Sequence, residues 1–429
     1  MTKETTEELN KKRKPAFGKR RFEKQDRTQD TDSNIIEVTP GMSGRLKLLI
    51  LLLVILIAAV TIVSVRRYIS TREYRAYDVV TSTETSGDNI ANYVLFSDNV
   101  LKVTKDGVSY IDQSGNTVWD CSYSMKMPQV VVNGDYAAVA DLNGRDVYVF
   151  NKSGKVSNQT LNYDITNIDV AAQGVYVVIL SGEKENYINA YDKDSKSIYE
   201  MKTSIENSGY PLDIAISDDG AKLFTSYVKV DGTSVPDYLA AYNFGSVGQN
   251  ENADRLMGGF TFDDTIFPYI DFVDNDTVVC FGDNKIVVYA MSEKPSEKAE
   301  IDLENREMLG VFANTKYLGY ITADNEDSDN RYHIYIYDMS GKLTAETDYN
   351  NSFSNIYATD DELIISGEFD CSIYYLNGAR KFATTFNKNL INIVPSKNKL
   401  EYIAIFENET QVIKLKLKII LIFMKILNI

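Results

Sequence analysis

The hydrophobic pattern changes character twice along this 429-residue chain. Residues 1–45 show no apolar period. Leu46–Val65, LKLLILLLVILIAAVTIVSV, is predominantly apolar with Lys47 as its only charge, and from Arg72 onward apolar and polar positions alternate in short runs rich in Tyr, Val and Ile. At about 1.5 Å of rise per residue the middle stretch spans roughly 30 Å, the hydrocarbon thickness of a bilayer, which predicts one transmembrane helix over 46–65. The segment before it cannot bury enough surface to fold and is expected to be a disordered tail. No long amphipathic helix follows, so the remainder is expected to be all-β.

Within the alternating region a unit recurs: a strand ending on an aromatic or aliphatic residue, then Asx and often Gly, as in YIDQSG, VFNKSG, AYDKDS, AYNFGS, VYAMSE, IYDMSG and YYLNGA. The closing residues Ile111, Phe150, Tyr191, Tyr242, Tyr289, Tyr337 and Tyr375 lie 39, 41, 51, 47, 48 and 38 residues apart, and a degenerate copy, TQVIKLKL, puts Ile413 another 38 on. Asx caps the turn with its side chain, and Gly accepts the positive φ the turn requires. A second strand lies just upstream in each period, and flanking strands such as ITNIDVA and PYIDFV complete it. Four strands per roughly 40 residues make the blade of a β-propeller, whose faces are buried only against neighbouring blades. Seven complete blades fit between about Asp88 and Lys388, and LINIVPS, LEYIAIF and TQVIKLKL leave an eighth short of its outer strand. REYRAYDVVTST, Arg72–Thr83, is expected to supply that strand, giving an eight-bladed β-propeller over 66–418, with seven blades as the alternative. Ile419–Ile429, IILIFMKILNI, is too short to span a bilayer and is expected to be poorly integrated.

The run Tyr110–Asp120, YIDQSGNTVWD, resembles the repeat of quinoprotein-like propellers in its Asp112, Gly115 and Trp119, although Trp119 is the chain's only tryptophan. Closure of the ring by an N-terminal strand resembles that of WD-repeat propellers. The whole arrangement is similar to the uncharacterised single-pass, membrane-anchored propeller proteins of Gram-positive bacteria, a resemblance that brings no catalytic residues with it. The vicinal Cys pair, repeated Trp and calcium site of true quinoproteins have no counterpart here, so no cofactor is expected.

Charge sharpens this picture. Residues 1–67 hold 14 Lys and Arg against 8 Asp and Glu, leaving 31 basic against 53 acidic residues for the rest. The basic excess before the helix favours a cytoplasmic N-terminus and an extracytoplasmic propeller at the cell membrane. Lys11–Phe22, KKRKPAFGKRRF, would then lie inside, where it fixes topology or touches anionic lipid. An acidic propeller repels nucleic acid, which excludes it as a partner and leaves protein or saccharide ligands of the cell envelope.

Little catalytic chemistry is visible. Cys121, Cys280 and Cys371 form no metal or disulfide framework, and His333 is the only histidine. Asp324–Asn330, DNEDSDN, lacks the central Gly and closing Glu of a calcium loop. These features favour a non-catalytic binding or scaffold module. The alternative is a surface hydrolase or lyase acting on envelope polysaccharide, which would need paired carboxylates that the sequence does not single out.

Loop lengths point to a candidate ligand surface. In a propeller the second-to-third turns and the blade-to-blade connections share one face. Two such turns are long, 228–237 and 323–333, and FTFDDTIFPY lies beside the first. Aromatic residues next to carboxylates suit a sugar-like or peptide ligand. The expected site is therefore Phe260, Phe262, Asp263, Asp264, Phe267 and Tyr269, with Asp231, Asp324 and Asp327; the competing reading makes the aromatics ordinary inter-blade core.

Overall fold

The structure is a computed structural model that describes residues 44–84, 91–206, 208–230, 232, 235–245, 248, 255–292, 294–323 and 332–417. Two compact units divide the chain, 1–62 and 63–429. The apolar run lies in a helix, Gly44–Ser70, which runs across the boundary at 62/63 and whose Leu, Ile and Val side chains are exposed along its length. A 27-residue helix is roughly 40 Å long, enough to cross a bilayer.

The second unit is an eight-bladed β-propeller. Each blade is a four-stranded antiparallel meander. Blades 1 to 7 occupy 92–122, 128–160, 164–204, 210–262, 269–302, 310–349 and 355–385. Blade 8 takes its inner three strands, Leu390–Pro395, Glu401–Phe406 and Glu409–Lys416, from the end of the propeller and its outer strand, Ala76–Glu84, from the beginning. The outer strand pairs antiparallel with the third from Ala76 opposite Lys416 to Glu84 opposite Glu409. Eight blades therefore replace the seven-bladed alternative, because the three leftover strands find their fourth in the segment after the helix. That segment is also tied to blade 7: Tyr74 N–H donates to Lys381 O at 2.7 Å, Tyr375 Oη to Arg72 O at 3.1 Å, and Glu73 pairs with Arg380 at 2.8 Å.

The alternating pattern works as burial requires. Second strands are apolar on both faces because both neighbouring blades cover them, as in Tyr176–Ser181 and Thr277–Phe281. Outer strands alternate exposed and half-buried, as in Thr117–Ser122. Among the described residues eight apolar clusters occupy the eight inter-blade spaces. The one that closes the ring, between blades 8 and 1, is the smallest: Tyr93, Val100, Val394, Ile403 and Ile405. Trp119 lies between Tyr110 and Phe150 at 5.3 and 5.5 Å, and its Nε1–H donates to Lys152 O. The recurrent Asx caps its turn as expected: Asp112 Oδ1 accepts Ser114 and Asn116 N–H, Asp338 Oδ1 accepts Ser340 and Lys342 N–H, and Gly115 and Gly341 follow at φ 87° and 79°. Cys280 and Cys371 are buried thiols, as small hydrophobes would be. His333 sits second in Tyr332–Asp338, with Nδ1 2.8 Å from Asp348 Oδ1.

Antiparallel blades give the ring two unlike faces. First-to-second and third-to-fourth turns emerge on one, and there the chain arrives from the helix, since Ala76 begins an outer strand. Second-to-third turns and blade connections emerge on the other, called here the docking face. Of the tail expected over 1–45, residues 1–43 lie outside the described residues and Gly44 and Arg45 open the helix; the tail 419–429 also lies outside the described residues.

Candidate functional site

Two features of the docking face and its channel stand out. The first is apolar exposure. Apart from the helix, the outer strands and Leu417 at the end of the described residues, every exposed large apolar side chain among those described lies on this face. Met127, Tyr163, Ile205 and Leu309 belong to blade connections, Tyr210 and Tyr269 open inner strands, and Val230, Val235 and Phe369 lie in second-to-third turns. Among the described residues the turns of the opposite face expose none, Leu417 apart, because their apolar members, among them Met291, Met339 and Leu376, are buried. Tyr163 stacks on Tyr187 at 4.7 Å, so its ring is held flat at the rim.

The second feature is a channel with two unlike walls. One rung of inner-strand residues pairs with the third-last residue of the adjacent second strand. Blades 1 and 2 place Val94 and Val130 there, opposite Leu101 and Val139. Blades 3, 4 and 5 place Asn167, Asp213 and Asp271, opposite Ile179, Ser226 and Val279. Against the first wall opens a cavity of about 600 Å³, lined by Val94, Val130, Val132, Ile356 and Val394 with the amides of Asn133, Asn355 and Asn392.

The second wall is acidic. Asp169 Oδ2 accepts Ile216 N–H of blade 4 at 2.8 Å, and its Oδ1 accepts Val170 N–H. Asp213 Oδ2 accepts Ile270 N–H of blade 5 at 2.7 Å, and its Oδ1 accepts Asn167 Nδ2–H. Asp271 accepts no hydrogen bond from any described residue. Loss of hydration is the main force on all three and opposes ionisation, pushing Asp169 up to about 6, Asp213 to about 7 and Asp271 to about 8. Their mutual repulsion adds to this, with Asp218 also acting on Asp169 and Asp271. Among the described residues no positive charge is a leading influence on any of them. Asp169 and Asp271 are only half-buried, as a narrow channel allows: water reaches them while protein excludes most of their hydration. Tyr269, 44% exposed, stands above Asp271 on the same strand face, and that carboxylate is the largest influence holding its hydroxyl protonated.

The residues expected from sequence are divided by this arrangement. Tyr269 is at the channel mouth, and Asp263 and Asp264 are exposed on the rim. Their loop is fastened to the turn 282–284: Thr265 Oγ1–H donates to Asn284 Oδ1 at 2.8 Å and Asn284 Nδ2–H to Asp264 O at 2.6 Å. Phe267 is a core residue, 0% exposed, because Asp237 Oδ2 accepts its N–H and draws it between blades 4 and 5. Phe260 and Phe262 are half-buried against the same cluster. Phe262 and Phe267 meet edge to face at 4.8 Å, so they offer packing, not surface. Asp231, Asp324 and Asp327 lie outside the described residues. Among the described residues no group of three His, Cys, Asp or Glu converges as metal ligands.

Sequence reading passed over Asp169, Asp213 and Asp271. The signal was present: ITNIDV, PLDIAI and YIDFVD each carry one Asp inside an apolar inner strand, in three successive blades.

The fold is shared with propellers of remote sequence. Sqt1 from Chaetomium thermophilum superposes with a TM-score of 0.52 at 11% identity, over 80% of this chain and 100% of its own. Sqt1 bound to the N-terminus of the ribosomal protein L10 gives 0.51 at 10%, over 79% and 99%. BamB from Moraxella catarrhalis gives 0.48 at 11%, over 79% and 100%. No curated protein sequence matches the chain significantly. A family profile does match, over residues 70–415, and so covers the propeller from its first latch residues to its last strand: the chain belongs to DUF5711, a family of unknown function.

Proposed function

We propose that this protein is a membrane-anchored, non-catalytic binding module of the cell envelope, with a cytoplasmic N-terminus and an extracytoplasmic propeller that takes a protein partner on its docking face. The observation that carries this reading is that, among the described residues, exposed apolar loop residues between strands are confined to one face. Exposed apolar side chains gathered on one face suit an interaction surface. The exposed apolar helix supports anchoring, and the basic excess before it supports the orientation. Sqt1, of similar fold, is bound to the N-terminus of ribosomal protein L10, so a ring of this build can hold a polypeptide.

Photocrosslinking in intact cells tests the face. A benzophenone amino acid at Tyr163, Val235 or Tyr269 should give discrete protein adducts, and the same probe at Asn116 or Ser340 on the opposite face should give none. Equal adducts from both faces, or none from either, would reject the reading. Protease added to right-side-out membrane vesicles should remove the propeller; its full protection would reverse the topology.

A second reading, a hydrolase acting on envelope polysaccharide, draws on one observation: a carboxyl pushed up to about 8, as at Asp271, stays protonated near neutral pH and is fit to act as a general acid. Release of reducing ends from purified wall polysaccharide, abolished in Asp271→Asn, would establish it.

A further inference from the structure

Resting on the docking face proposed above, the two walls of the channel say what its partner carries. The acidic wall has more carboxyl groups than its structural role requires. Asn392 joins blade 8 to blade 1 through a neutral amide, donating to Tyr93 O at 2.6 Å, so a bridge between inner strands needs no carboxylate. Asp271 makes no bridge at all, yet it faces two other carboxylates with no cation beside them. A buried or half-buried carboxylate without a counter-charge is costly. The opposite wall is lined by Val94, Val130, Val132, Ile356 and Val394 around open space.

We propose that the channel receives a lysine or arginine side chain from the partner polypeptide docked on the apolar face, with its aliphatic stem along the valine wall and its charged head at Asp271. Such side chains are amphipathic in the sense the channel demands: an apolar stem and a cationic tip. Tyr269 at the mouth lies two residues above Asp271, about 7 Å at strand rise, comparable with an extended lysine. The aromatic ring at the entrance suits the passage of a cation. A metal ion fits less well, since it needs several oxygens converging on one point and the described residues offer no such set. A free amine would leave the apolar face uncovered, whereas a polypeptide covers both. The overall acidity of the propeller draws a basic segment toward it.

Selection of a phage-displayed library of random linear peptides on the full-length protein in lipid nanodiscs tests this. The enriched peptides should carry Lys or Arg flanked by apolar residues. A synthetic peptide from that pool should bind Asp271→Asn about tenfold or more weakly, and the same loss should follow replacement of its lysine by norleucine. Asp271→Glu, which keeps the charge, should restore most of the binding. Asp271→Asn must melt no lower than wild type at pH 8 for the loss to be read as lost recognition; a lower melting point would mean that Asp271 is structural and would overturn the proposal. Enriched peptides without a basic preference, or unchanged binding by Asp271→Asn, would refute the lysine reading while leaving the docking face intact. Peptides indifferent to both Asp271→Asn and Tyr163→Ala, or no enrichment at all, would remove the docking face as well.

Discussion

Asn392 in blade 8 and Asp213 in blade 4 hold the same station on opposite sides of the channel. Each follows a bulge in its inner strand, and each takes the N–H of the next residue on its side chain. Each also reaches the following blade, but with opposite polarity. Asn392 donates Nδ2–H to Tyr93 O, while Asp213 accepts Ile270 N–H. The amide completes its bridge without charge. The carboxylate completes its own only by holding charge where hydration is poor, and Asp169 and Asp271 repeat that cost beside it. The ring is thus closed by neutral chemistry in one sector and loaded with negative potential in another. Natural chains tend to break local consistency of this kind at functional positions.

Four experiments bear on this contrast. The largest effect should be on the pH dependence of unfolding. Asp169, Asp213 and Asp271 have folded-state pKa values of about 6, 7 and 8, above the unfolded value of about 3.9. The folded chain therefore binds more protons than the unfolded chain between roughly pH 4 and 8, and stability falls as pH rises through that window. Unfolding of the full chain in detergent should lose at most about 8 kcal/mol from pH 5 to 8.5, and less as water screens the half-exposed Asp169 and Asp271. The carboxylates held below their usual range, among them Glu73, Glu401 and Glu409, act in the opposite sense only below about pH 4.5. A flat or rising profile between pH 5 and 8.5 would remove the acidic wall as a source of strain.

Next comes Asn392→Asp, which carries the acidic chemistry across the channel. It sets a carboxylate against Tyr93 O, where a donor is required, in the smallest of the inter-blade clusters. It should cost about 2–3 kcal/mol at pH 8 and less at pH 5, where a protonated carboxyl can donate again. Equal destabilisation at both pH values would show that the bond, not the charge, is what matters there. In the reverse exchange, Asp271→Asn should raise stability by about 1–2 kcal/mol at pH 8 and change little at pH 5. Denaturant midpoints at the two pH values decide it. Smallest of all should be the rim: Asp264→Asn, whose exposed side chain accepts Thr265 Oγ1–H at 3.2 Å through an oxygen that the amide keeps and whose loop is held through the backbone carbonyl, should stay within about 0.5 kcal/mol of wild type. A larger loss would show that its side chain supports the loop after all.

The apolar helix, the all-β body and the turn chemistry were legible in the chain itself, because they depend on neighbours a few residues apart. An uninterrupted run reads as a span, alternation as a strand with two environments, and Asx followed by Gly as a turn whose first side chain accepts the next amides. Even the latch followed from local counting, since three strands at the end of a ring need a fourth. The site did not follow, for the same reason inverted. Asp169, Asp213 and Asp271 stand 44 and 58 residues apart, and their shared field exists only because three inner strands line one channel. FTFDDTIFPY shows the opposite failure: its aromatics and carboxylates interleave in sequence as if to make one surface, but the bond from Phe267 N–H to Asp237 holds Phe267 in the core, Phe260 and Phe262 pack half-buried against it, and Asp263, Asp264 and Tyr269 are left outside. Sequence alone determined which residues could form strands, turns and a span. Only the closed ring decided which side chains meet, because burial and electrostatic coupling act through space, and a ring brings together residues that the chain keeps a blade apart.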